Sequence, residues 1–138
     1  LNLLDRDWPI YARAESEPPA YLGEAAEVDH SVVTRGCEVE GTVRNSVLSQ
    51  RCTVAEGAEV EYSILMPGAT VERGAKVSYA IIGENARVGA LAQVGAPPEA
   101  VPPEEWGITV IGPGAAVEPG RAVGAKRMLN REGKETVR

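Results

Sequence analysis

Branched aliphatic residues punctuate the middle of this chain about every six positions: Leu48, Val54, Val60, Leu65, Val71, Val77, Ile82, Val88 and Val94. Polar or small residues fill the places between them. The steps run six, six, five, a rhythm that no helical i, i+3, i+4 face sustains. Four segments overlay on one another: Val28-Asp-His-Ser-Val-Val33, Val43-Arg-Asn-Ser-Val-Leu48, Val60-Glu-Tyr-Ser-Ile-Leu65 and Val77-Ser-Tyr-Ala-Ile-Ile82. Their markers Ser31, Ser46, Ser63 and Ala80 lie 15, 17 and 17 residues apart. A hexapeptide period belongs to a parallel β-helix, in which three short strands make one triangular coil and coils stack at the strand spacing of ~4.8 Å. The pattern therefore predicts an all-β fold, a left-handed parallel β-helix of about five coils, preceded by an extended N-terminal segment.

Strand alternation assigns the side chains. Each strand points one large aliphatic and one small residue inward. The small columns are Ser31, Ser46, Ser63 and Ala80 on one face, Cys37, Cys52, Ala69 and Ala86 on a second, and Ala26, Ala58, Ala75 and Ala92 on the third. Gly36, Gly57, Gly68 and Gly74 fall at the bends. The first repeat is shortened around Glu40-Gly41-Thr42. Two outward ladders are mostly polar. The remaining one, Val32, Val47, Ile64 and Ile81, is a stripe of branched aliphatics roughly 14 Å long at strand spacing, and exposed apolar stripes of this kind meet a partner. Its cover is expected to be either the chain's own Trp8-Pro-Ile-Tyr11 or a second domain or subunit.

The organisation along the chain follows. Residues 1–21 read as an extended segment and a linker broken by Pro18-Pro19. Residues 22–125 carry the β-helix, interrupted at 96–107 by a loop with four prolines, and residues 126–138 read as a polar, frayed tail that Met128-Leu129 fold over the open end. A chain starting at Leu1 reads as a fragment of something longer.

Composition narrows the function. Aromatic residues make up 4% of the chain and phenylalanine is absent, which suits a thin core column better than a broad globular one. A net charge of −6 argues against a nucleic-acid partner, and no apolar run approaches the ~20 residues of a membrane span. Cys37 and Cys52, the two cysteines, stack as small core thiols; a disulfide between them would be strained. A reduced, cytoplasmic protein is expected. One histidine, His30, cannot supply the three that a zinc site of this architecture needs, and it stands in an outward column with Asn45, Tyr62 and Tyr79. There is no Gly-rich phosphate loop, and Glu104 and Glu105 read as exposed loop acids. No catalytic, cofactor-binding or metal-ligating residue is assigned.

Longer motifs carry a resemblance. Asp7-Trp-Pro-Ile-Tyr-Ala-Arg13, Pro18-Pro-Ala-Tyr-Leu-Gly23, the run from Asp29 to Leu48 and Ser63-Ile-Leu-Met-Pro-Gly68 together resemble the C-terminal region of bacterial glucose-1-phosphate adenylyltransferase, the ADP-glucose pyrophosphorylase of glycogen synthesis, over about residues 1–95. The resemblance implies a division of labour. An N-terminal nucleotidyltransferase domain, absent here, uses ATP and Mg²⁺ to make ADP-glucose and pyrophosphate from glucose 1-phosphate. The β-helix packs on that domain, supports a homotetramer and contributes to a site for an anionic sugar-phosphate effector. Arg73 and Lys76 are the expected effector contacts, with Arg44 and Arg51 next, since phosphate needs cations. The competing expectations are the β-helix of another sugar nucleotidyltransferase and a free-standing hexapeptide acyltransferase using His30.

Overall fold

A computed structural model describes residues 19–137. Three sheets of parallel-stacked strands form the sides of a prism, and each strand between the two ends pairs with the strand one coil earlier and one coil later. The first face stacks Tyr21–Leu22, Glu38–Val39, Thr53–Val54, Thr70–Val71, Arg87–Val88 and Ala116–Val117. The second stacks Glu27–Asp29, Thr42–Arg44, Glu59–Glu61, Lys76–Ser78, Gln93–Val94 and Ala122–Val123. The third stacks Val32–Val33, Val47–Leu48, Ile64–Leu65, Ala80–Ile82, Thr109–Ile111 and Arg127–Leu129. Among the described residues there is no α-helix, and hence none long and apolar enough to cross a membrane.

The core is the column that the periodicity demands. Val39, Val43, Leu48, Val54, Val60, Leu65, Val71 and Ile82 are fully buried, and Ala58, Ala69, Ala75, Ala86 and Ala92 fill the gaps between them. The shortened corner of the second coil is closed by Gly41, where a Cβ would sit 2.5 Å from the Ala58 carbonyl oxygen. Only glycine lets the coils approach so closely there.

The serine column is more than small. Ser46 Oγ donates to the Arg44 carbonyl at 2.8 Å and accepts from the Ser63 N–H at 3.1 Å. Ser63 Oγ donates to the Glu61 carbonyl at 2.8 Å and accepts from the Ala80 N–H at 3.2 Å. Ser31 begins the ladder in the same way. The residue before each of these positions turns the corner in the left-handed region: His30, Asn45, Tyr62 and Tyr79 have φ of 48°, 50°, 50° and 50°. Each hydroxyl thus braces a costly non-glycine bend and satisfies a backbone donor of the next coil.

Two features differ from the sequence expectation. The described residues form six coils rather than about five, and the tail from 126 is not frayed. Arg127–Leu129 completes the sixth coil, with Leu129 fully buried in the Leu65, Ile82, Ile111 column. The chain then turns, and Glu135–Val137 pairs antiparallel with that last strand. The polar run Lys126-Arg127 hides the rung, because only one residue of the strand points inward. Asn130 holds the turn through its side-chain oxygen, which accepts from the N–H groups of Glu132 and Lys134. The insertion at 96–107 leaves between Gln93–Val94 and Thr109–Ile111 as two short 3-10 turns, Pro98–Ala100 and Pro103–Glu105. Thr109 then resumes the serine column, its hydroxyl donating to the Gly124 carbonyl at 2.7 Å.

The ladder predicts a graded response. Ser63→Ala strands the buried Ala80 N–H and is expected to cost about 1–3 kcal/mol in urea unfolding, whereas Ser31→Ala, at the half-exposed end, costs less. Equal losses at the two sites would show that the hydroxyls act only as space fillers.

Candidate interaction face

The third face carries the most apolar surface of the described residues. Its outward positions are in register as Val32, Val47, Ile64, Ile81, Val110 and Met128. The stripe expected from sequence is therefore extended by two rungs, to roughly 24 Å at strand spacing. Val32 is 55% exposed, Val47 41%, Ile64 42% and Met128 40%; Ile81 and Val110 are half-buried. Nothing among the described residues covers the stripe. The segment Trp8 to Tyr11, expected as one possible cover, lies outside the described residues.

The corner before this face is aromatic. Tyr62 and Tyr79 stack with ring centroids 4.8 Å apart and planes 10° from parallel. Trp106 meets Tyr79 edge-on at 5.7 Å and 79°, and its Nε1–H donates to the Ala96 carbonyl at 2.8 Å. That one side chain both staples the two ends of the insertion and lays it on the tyrosine stack. Loss of solvent around Tyr79 raises its pKa, and the charges of Tyr62, Glu99 and Glu61 add to the rise. The loop is tied again at its far side, where the Lys126 N–H donates to Gly107 at 2.9 Å and Lys126 Nζ to the Glu104 carbonyl at 3.3 Å.

On the other side of the stripe, Met66 is exposed, while the equivalent positions one and two coils earlier are the smaller Ser49 and Thr34. An apolar notch of about 300 Å³ lies beside Pro67, lined by Val32, Thr34, Val47, Leu48 and Ser49. The third coil thus presents Tyr62, Ile64 and Met66 outward in alternation, all at least 40% exposed. Tyrosine, tryptophan and methionine are the residue types that concentrate at interface centres.

The polar candidates do not converge. Arg73 Nη2 lies 3.6 Å from Glu56 Oε1, and Lys76 stands in register between Glu59 and Gln93. Arg44 pairs with Glu61, and Arg51 sits at a bend with φ of 61°. Acidic side chains accompany Arg73, Lys76 and Arg44. His30 is exposed, with Nδ1 2.8 Å from the Asp29 carboxylate. Among the described residues no three histidine, cysteine or acidic side chains come together to hold a metal. Cys37 and Cys52 are free, buried thiols. Sequence reasoning found four rungs of the face but missed Val110, Met128, Tyr62, Tyr79, Trp106 and Met66. Tyr62 and Tyr79 carried a signal all the same, since two aromatic residues 17 positions apart stand in one outward column on neighbouring coils.

Comparison with known proteins settles the family. The sequence matches, over residues 18–111, the family described as GlmU-like, C-terminal hexapeptide. The chain belongs to that family. Within this hexapeptide family its likeness to glucose-1-phosphate adenylyltransferase is direct: the enzymes of Bacillus thuringiensis (strain Al Hakam) and Bacillus anthracis are each 52% identical to it over 60 residues, and that of Bacillus mycoides (strain KBAB4) is 50% identical over 60 residues. The match covers 44% of this chain and only 16% of the length of those relatives. Among solved structures, the acetyltransferase domain of PglB from Neisseria gonorrhoeae FA1090, in complex with acetyl coenzyme A, superposes with a TM-score of 0.50 and 18% identity, over 94% of this chain and 64% of that one. That likeness shows the hexapeptide fold and nothing of the chemistry.

Trp106→Ala should free the insertion while leaving the coils folded, because an aromatic pair contributes only ~0.5–1.5 kcal/mol beyond its burial. Limited digestion with a glutamate-specific protease is expected to cut faster at Glu99, Glu104 and Glu105, with an unchanged melting curve for the coil core. An unchanged cleavage rate would remove Trp106 as the staple.

Proposed function

We propose that this chain is the β-helix module of a glucose-1-phosphate adenylyltransferase, non-catalytic by itself, that docks and assembles the rest of the enzyme through its third face. The observation that carries the family half of this reading is the 52% identity over 60 residues. The role is inferred from what the surface offers. Among the described residues the only histidine is His30, an exposed end-of-helix residue, and the conspicuous feature is an aliphatic ladder flanked by stacked aromatics. Such a surface excludes water from a partner; it does not move protons or hold a nucleotide.

In the full-length protein, ATP and Mg²⁺ would be bound by a domain outside this chain, which would join adenylate to glucose 1-phosphate and release pyrophosphate. The third face would pack against that domain or against a second subunit of a homotetramer. An anionic sugar-phosphate effector is a further proposal, and it would reach Arg73 only by competing with Glu56. The test is a paired assay of pyrophosphate release from ATP and glucose 1-phosphate. The full-length polypeptide is expected to turn over and the 138-residue chain to be silent; silence of both would sink the assignment. The acyltransferase alternative has one observation in its favour, the His30–Asp29 contact at 2.8 Å on a fold shared with an acetyltransferase. Acetyl transfer by the isolated chain, abolished in His30→Ala, would replace the present reading.

The docking role predicts that Ile64→Glu in the full-length protein weakens association by about tenfold or more, the loss expected when a central interface anchor is removed. Light scattering reads the mass, and circular dichroism of the isolated chain confirms that the coils persist. An unchanged mass distribution would exclude the third face as the assembly surface.

A further inference from the structure

Cys37 and Cys52 occupy one inward column on neighbouring coils, each just ahead of a strand paired in register, Glu38 with Thr53. The same column holds Ala69, Ala86 and Ala115 in the later coils, all fully buried. Alanine therefore satisfies the packing of this position, and volume alone gives no reason for sulfur in two consecutive coils. The thiols are parallel in their bonding as well. Cys37 Sγ donates to the Ser49 carbonyl at 2.9 Å, and Cys52 Sγ to the Met66 carbonyl at 3.2 Å, each reaching the coil that follows its own. Stacked positions bring the two Cα atoms to the strand spacing of ~4.8 Å, inside the range of roughly 4.4–6.8 Å over which a disulfide closes.

We propose that Cys37 and Cys52 form a peroxide-oxidisable dithiol that closes reversibly into a disulfide between the second and third coils. This inference does not rest on the function proposed above. Cys37 is the attacking sulfur. The closeness of the Cys52 side chain lowers the pKa of Cys37, while the same pairing, followed by burial, raises that of Cys52. Cys37 is also the outer of the two. Among the described residues only the first coil lies above it; its strands have a described neighbour on one side only, and its core positions Leu22 and Val28 are 52% and 37% exposed. Opening of that coil admits the oxidant.

The thiolate attacks one oxygen of hydrogen peroxide, the O–O bond breaks, and with one proton taken up a sulfenic acid and water result. The Cys52 thiol then loses its proton and attacks the Cys37 sulfur, and the hydroxyl leaves as a second water. Peroxide takes up the two electrons of the dithiol. The closed bond spans directly stacked positions, and strained disulfides are the labile ones that thiols readily reopen. Its effect is to tie the second coil, which carries Val47 and Ser49 of the apolar notch, to the third.

The experiment treats the full 138-residue chain with hydrogen peroxide and measures intact mass and thiol content after unfolding. The expected result is a mass lower by two hydrogens, a thiol count falling from two to none, and restoration of both by dithiothreitol. In Cys52→Ala the same treatment with dimedone should leave its adduct on Cys37, and in Cys37→Ala little or none on Cys52. Both variants place alanine where the column already holds it, and circular dichroism verifies that they fold. Two intact thiols after treatment, disulfide found only between chains, or irreversible gain of oxygen without a cross-link would each overturn the proposal. A dimedone adduct mainly on Cys52 would overturn Cys37 as the attacking sulfur.

Discussion

The cross-section of the prism is the constraint on which everything else depends. Three strands folded into a triangle enclose room for one large side chain near each corner and one small one between, and the next coil must repeat the arrangement at ~4.8 Å. A second large residue on a face would push the sheets apart. A gap would forfeit contacts in every neighbouring coil, since a packed interior loses both transfer energy and cavity energy together. This is why Val39, Val54, Val71, Val88 and Val117 stack along one edge and Leu48, Leu65, Ile82, Ile111 and Leu129 along another, all fully buried. It is also why phenylalanine finds no place and why Tyr62, Tyr79 and Trp106 lie outside the buried column.

That constraint made half of the structure legible and concealed the rest. Inward positions obey it and so can be read one by one from the spacing of Leu48 to Val94. Outward positions answer to nothing in the coil, so their meaning emerges only when coils are stacked in register. Val110 and Met128 join the Val32 stripe across an insertion and a polar run, and neither has a local pattern to announce it. Trp106 meets Tyr79 although 27 residues separate them in the chain, because the loop folds back on the corner from which it left. The serines were legible as small, but their hydrogen bonds were not. A hydroxyl's donor and acceptor partners depend on the left-handed bend beside it, and spacing alone does not give φ.

The bends tie fold to surface. Glycine would adopt φ near 50° at little cost, and asparagine at modest cost, yet the third and fourth coils place Tyr62 and Tyr79 there. The strain is tolerated because the Ser63 hydroxyl and the regular ladder fix the backbone on both sides, and because the two rings recover part of it by stacking. The result is an aromatic step directly beside Ile64 and Ile81. Paying conformational strain to place large rings next to an aliphatic ladder makes little sense for a solvent surface, and it follows naturally if the face is meant to be covered.

A division between a conserved geometry inside and a free choice outside also explains how one architecture can accompany unrelated chemistries. The PglB acetyltransferase domain shares the fold at 18% identity, while the Bacillus adenylyltransferases share 52% over a short stretch. Identity at the lower level can come from the inward columns alone, since hexad packing restricts them to a handful of residue types. Outward positions, where the coil itself imposes no choice, are where one such chain can differ from another, and here the third face carries the aliphatic ladder with its aromatic corner.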